Sequence, residues 1–86
     1  FHLIEAMAAA AEAEGLSAEL ALRLARATVA GAGALAQETG TDPAQLRRDV
    51  TSPNGTTQAG LEVLMAELPD LIRRTVRAAA KRSEEL

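Results

Sequence analysis

Cysteine is absent from this 86-residue chain, which removes disulfides and thiolate metal ligands and fits a reducing compartment, the cytoplasm being the expected location. Histidine occurs once, as His2, so a zinc site has almost no ligands to draw on and no metal is expected. Covalent or general acid-base catalysis needs a base beside a nucleophile, and nothing in the sequence sets His2 against Ser52 or a carboxylate. The acids Glu12 and Glu14, and Glu84 and Glu85, sit at helix ends and read as solubilising. There is no GxGxxG stretch, so the chain has no dinucleotide cradle of its own. No apolar run reaches the roughly 18 residues of a membrane span. The first residues carry Glu5 and Glu12 and lack the basic start of a signal peptide. A formal charge of -3 argues against a nucleic-acid surface. The basic cluster of Arg73, Arg74, Arg77, Lys81 and Arg82 runs directly into Glu84 and Glu85 and reads as a solvated helix face.

Also missing is the alternation of a β-strand, and what fills its place is helical. From Phe1 to about Glu14, Leu3, Ile4, Met7, Ala8 and Ala11 fall on one side, with Gly15 free to end the helix in a left-handed conformation. Ser17 is placed to cap a second helix, with Glu19 in its first turn, running from about Ala18 to Thr39 and stopped by Gly40. Asp42, Pro43 and Gln45 form a start signal for a short helix over about Pro43 to Asp49. Thr56 or Thr57 is expected to cap a fourth helix carrying Leu61, Leu64, Met65 and Leu68. Pro69 is expected to bend or restart the chain before a last helix to about Glu85. Met7 and Met65 read as core fillers. The expectation is a single all-α domain over residues 1–86 with four or five helices.

Two features stand out. The second helix holds Gly31 and Gly33, each costing roughly 1 kcal/mol against alanine, which suits a crowded crossing either within a subunit or between two. So short a chain buries little surface alone, which makes oligomerisation an expectation. The chain also begins without Met inside an apolar pattern, as a piece of something longer would.

The second feature is DVTSPNGTT, residues 49–57, with four hydroxyls, those of Thr51, Ser52, Thr56 and Thr57, around Pro53, Asn54 and Gly55. Pro53 fixes one φ, and Asn54 and Gly55 both tolerate positive φ, which favours a tight turn. The turn feeds a helix N-terminus, where unpaired N–H groups and the helix dipole favour an anion such as a small carboxylate or a phosphate. On these residues alone the loop reads as an anion-binding start or as an elaborate cap and turn.

DPAQLRRDVTSPNGTT closely resembles the HPxQLRDxVTSPGGTT type of motif of pyrroline-5-carboxylate reductase, and LIEAMAAAAEAEGLSAELALRLARATVAGAGAL and VRAAAKRSEEL are similar to the same family's C-terminal segment. The resemblance implies an interlocked dimerisation domain, of the 6-phosphogluconate dehydrogenase C-terminal-like type, that follows a Rossmann domain binding NADPH or NADH. That nucleotide domain is absent from this chain, which is expected to be inactive alone and to bind no cofactor. The implied reaction is reduction of 1-pyrroline-5-carboxylate to proline, the last step of proline biosynthesis. Carried over, Val50, Thr51, Ser52, Pro53, Asn54, Gly55 and Thr56 hold the substrate carboxylate, and Thr57 bonds the ring nitrogen and is the catalytic candidate. The implied partner is a second copy of the chain, with an oligomer of dimers left open; no nucleic acid and no membrane are implied. Asn54 departs from the family's first glycine and Pro69 from a Gly-Gly break. The competing expectation is a non-enzymatic helical interaction module that keeps the interlocking surface and has lost the chemistry.

Overall fold

A computed structural model describes all 86 residues, Phe1–Leu86, as four helices without a strand: α1 (His2–Ala13), α2 (Ala18–Thr39), α3 (Pro43–Asp49) and α4 (Thr56–Glu85). Their contacts cluster in two units, Phe1–Leu46 and Arg47–Leu86.

In the first unit, α1 closes with two bonds that satisfy its last carbonyls. Gly15 N–H donates to the Glu12 carbonyl at 2.9 Å and Leu16 N–H to the Ala11 carbonyl at 3.1 Å, with Gly15 at φ 107°. This is the Schellman arrangement, which a residue with a Cβ would strain. Two residues after Gly15, the Ser17 hydroxyl accepts the Leu20 N–H at 3.2 Å and caps α2, and Gly40 ends that helix at φ 63°. Between the two helices the buried residues are Ala8, Ala21 and Ala25, flanked by half-buried Ile4, Met7 and Ala11. Leu3, expected on this face, lies exposed.

A core of three alanines holds little together. Each buried methyl contributes about 0.8 kcal/mol, whereas ordering one residue's backbone costs about 1–2 kcal/mol. Most of the large side chains a core would use are exposed, among them Leu20, Leu22, Leu24 and Leu35 on α2. Gly31 and Gly33 fit the same picture, since nothing lies within 4 Å of the place a Cβ would take at either position. A tight crossing with α1 is therefore not what these glycines serve.

In the second unit, α4 runs unbroken through Pro69, without the restart that was one of the two expectations there, so the helices number four. Proline has no N–H to offer the carbonyl four residues back, that of Met65, a loss that in a helix interior costs about 3 kcal/mol. Strong helix formers on both sides and the pairing of Asp70 with Arg73 and with Arg74, the latter at 2.9 Å, carry the helix onward. The Arg73 guanidinium, and then that of Arg74, holds the Asp70 carboxyl below its ordinary range. Leu64, Met65, Leu71, Ile72 and Val76 are exposed along α4, which buries no residue. Met65 is thus not a core filler within the chain. No helix is long and apolar enough to cross a membrane.

Candidate functional site

The eight residues singled out by sequence, Val50 to Thr57, occupy the connection from α3 into α4 and the first turn of α4, all within the second unit. Thr51 anchors the entry. Its N–H donates to the Arg48 carbonyl at 3.1 Å, and its half-buried hydroxyl donates to the Arg47 carbonyl, so two end carbonyls of α3 are satisfied by one residue. The Thr51 donor is thereby committed to the fold.

A tight turn follows. Gly55 N–H donates to the Ser52 carbonyl at 3.1 Å, Pro53 takes the second position and Asn54 the third at φ 60°, which defines a type II turn. Asn54 is the chain's one non-glycine residue with positive φ, and asparagine is among the residues that bear this conformation best. Gly55 needs its missing side chain for a different reason. A Cβ there would stand 3.3 Å from the Ser52 carbonyl oxygen, inside comfortable contact.

Gly55, and not Thr56 or Thr57, is the N-cap of α4. Its backbone is extended, at φ -88° and ψ 179°, and with no side chain it makes no cap bond. The exit from the type II turn sets this extended geometry, which an N-cap requires, so the turn fixes the cap before side-chain preference can. The consequence is chemical. The N–H groups of Thr56, Thr57 and Gln58 have no partner within the chain, at the end of the helix where the dipole is positive.

The hydroxyls behave in the same way. Thr28, Thr39 and Thr75 each donate to the carbonyl four residues back, at 2.7, 2.7 and 2.8 Å. Thr56 and Thr57 have no such carbonyl, because the residues four back, Ser52 and Pro53, lie in the turn and not in the helix. Ser52, Thr56 and Thr57 are all exposed and their side chains bond nothing in the chain. Val50 is 64% exposed beside them. Three backbone N–H groups and three hydroxyls are therefore available over the seven residues from Ser52 to Gln58, a donor set whose chemistry suits a small carboxylate.

Sequence reading overlooked two neighbours. Gln58 is half-buried, and its Oε1 accepts the Asn54 N–H, a bond that spans the turn. Its place three residues into the helix, where Gln and Glu reach back to the cap, is the signal that could have found it. Arg47, also half-buried, lays Nη1 3.1 Å from Met65 Sδ. Arg47, Thr51, Gln58, Leu61, Glu62 and Met65 border a hollow of about 210 Å³. A second hollow, of about 220 Å³, is bordered by Asn54, Gly55, Gln58, Ala59 and Glu62. His2 lies exposed on the first turn of α1, 3.1 Å from Glu5, and no group of three or more His, Cys, Asp or Glu side chains is placed to hold a metal.

Residues 1–86 match the family described as pyrroline-5-carboxylate reductase dimerisation. Among individual relatives, pyrroline-5-carboxylate reductase of Pseudomonas aeruginosa is 45% identical over 87 residues, which cover 100% of this chain and 32% of that protein. The Arabidopsis thaliana enzyme is 48% identical with the same two coverages, and pyrroline-5-carboxylate reductase 2 of Bacillus subtilis is 40% identical over 100% of this chain and 31% of its own. The chain spans about a third of the length of these relatives. With a whole-length family match and relatives at these identities, the chain belongs to the pyrroline-5-carboxylate reductase dimerisation family.

Proposed function

We propose that the chain is the dimerisation and substrate-loop domain of a pyrroline-5-carboxylate reductase, in which two copies interlock and each SPNGTT turn holds the carboxylate of 1-pyrroline-5-carboxylate. The carrying observation is the start of α4, where a side-chain-free cap leaves three N–H groups and three hydroxyls unpaired around a rigid turn. A single-domain reading over 1–86 follows from the same pairing, because the first unit buries only three alanines and the second buries no residue. The in-helix glycines, open in this chain, suit a crossing between two copies.

When bound, NADPH or NADH supplies the hydride that reduces the imine carbon, from a nucleotide domain outside these residues. The residues of this chain supply position. The unpaired N–H groups of Thr56, Thr57 and Gln58 and the Ser52 hydroxyl converge as donors for the carboxylate, each a charge-assisted bond. The Thr57 hydroxyl, free because the residue four back lies in the turn and not in the helix, donates to the ring nitrogen and links it to a proton path. Threonine is too weak an acid to drive protonation, so its contribution is orientation of the imine and passage of the proton. The reductase acts in the cytoplasm.

Removing one carboxylate donor should weaken binding of ground state and transition state alike. In the full-length enzyme, Ser52→Ala should raise KM for the imine about tenfold or more, the effect of one hydrogen bond to a charge, with kcat within about twofold. Steady-state rates of NAD(P)H oxidation measure both constants, and an unchanged KM would remove Ser52 from the site.

A further inference from the structure

Within the turn, only one side chain beyond Thr51 holds the backbone in place. Gln58 reaches back from the first turn of α4 and accepts the Asn54 N–H. The facing atom must be the amide oxygen, because a backbone N–H can only donate. That choice turns the NH2 group of Gln58 the other way, with two donors and no partner in the chain. Gln58 is also the side chain, with Glu62, that borders both hollows flanking the turn.

Asn54 gives this bond its purpose. A residue with a Cβ at φ 60° is held against its backbone preference, and a turn built on it relaxes more readily than one built on glycine. Of the turn's two central residues Asn54 alone has an N–H, since Pro53 has none, and Gly55 N–H already closes onto Ser52. A side-chain acceptor on Asn54 N–H fixes the orientation of the central Pro53–Asn54 peptide, which sets the turn type and so the path through Gly55 to the three open N–H groups. A carboxylate at position 58 would accept the same bond and would favour the helix dipole, but it would set a negative charge beside the place the substrate carboxylate takes.

We infer that Gln58 is a positioning residue of the carboxylate site: a neutral clasp that locks the Ser52–Gly55 turn through Asn54 and leaves its own NH2 group as a further donor toward an anionic substrate. The inference rests on the reading of the loop as a substrate site and assigns a role to a residue outside the family motif.

The test compares wild type, Gln58→Leu and Gln58→Glu in the full-length enzyme, with kcat and KM for 1-pyrroline-5-carboxylate and the thermal midpoint of each. Gln58→Leu loses both the clasp and the donors and should raise KM about fivefold with kcat within about twofold. Gln58→Glu retains the clasp, so its thermal midpoint should match wild type while its KM rises at least as far as that of the leucine variant. A purely structural residue would instead let KM follow the thermal midpoint. Wild-type KM in either variant overturns the inference and leaves the reading of function standing. A wild-type enzyme that does not reduce the imine removes that reading, and the inference with it.

Discussion

Ile72→Asp should abolish the dimer. Ile72 is 50% exposed in the middle of α4, in a stripe that continues through Leu61, Leu64, Met65, Leu68 and Val76 at helical spacing. Fully burying such a side chain is worth about 1.5–3 kcal/mol, so covering the exposed half of each contributes about 1 kcal/mol per residue per copy. An aspartate at the centre reverses that contribution and adds the cost of an unpaired charge, several kcal/mol in each copy. Because a two-fold interface contains the substitution twice, the dissociation constant should rise about a thousandfold or more. Sedimentation velocity at micromolar concentration should show dimer for wild type and monomer, unfolded or partly helical, for the variant. A conservative Ile72→Val change should keep the dimer, which separates loss of burial from loss of helix. A wild-type chain sedimenting as a folded monomer would contradict the expectation outright, since three buried alanines cannot support one.

Thr57→Ala should have its main effect on kcat. The hydroxyl bonds nothing within the chain, so its removal leaves no internal partner unsatisfied and should leave the fold intact. On the proposed reading, what is lost is the donor that orients the imine nitrogen and the route by which its proton arrives. Positioned proton-transfer groups contribute about 100-fold or more to rate, and a poorly acidic hydroxyl belongs at the low end. The expected fall in kcat is on the order of 10- to 100-fold, with a smaller change in KM. Thr57→Ser, which keeps the hydroxyl, should recover most of the rate, whereas Thr57→Val, which keeps the shape, should not. A valine variant with wild-type kcat would show that only shape matters at this position.

Local chemistry made much of this structure legible before any coordinates. Ser17, Gly40 and the Asp42-Pro43 pair mark the ends of α2 and the start of α3 because caps act over one or two residues and need no tertiary context. The type II turn is likewise written in Pro53 and Asn54. Two expectations about helix boundaries, the restart at Pro69 and the threonine cap, failed, each for a definable reason. Pro69 deletes one hydrogen bond, but the flanking helix formers and the Asp70 pairs keep the helix continuous. Thr56 and Thr57 are good caps by preference, yet the turn delivers Gly55 to the cap position already extended, so the threonines enter the helix with their hydroxyls unused. Burial was the least legible property. Periodicity marks Leu61, Met65 and Ile72 as an apolar face without saying whether the surface that covers it belongs to the same chain. The family match could be read from DPAQLRRDVTSPNGTT, while Gln58, outside the motif, needed the coordinates to show its bond to Asn54.

The proposal that the Ser52–Gly55 turn holds the substrate carboxylate is tested most directly by the initial rate of NAD(P)H oxidation with 1-pyrroline-5-carboxylate as the only imine. The comparison is full-length wild type against a variant in which Ser52, Thr56 and Thr57 are all alanine. The account predicts saturable turnover with proline as product in wild type and a kcat/KM lower by about 100-fold or more in the triple variant, whose dimer should persist because the apolar stripe is untouched. Wild-type turnover in the triple variant, or no turnover in the wild-type enzyme, would contradict it.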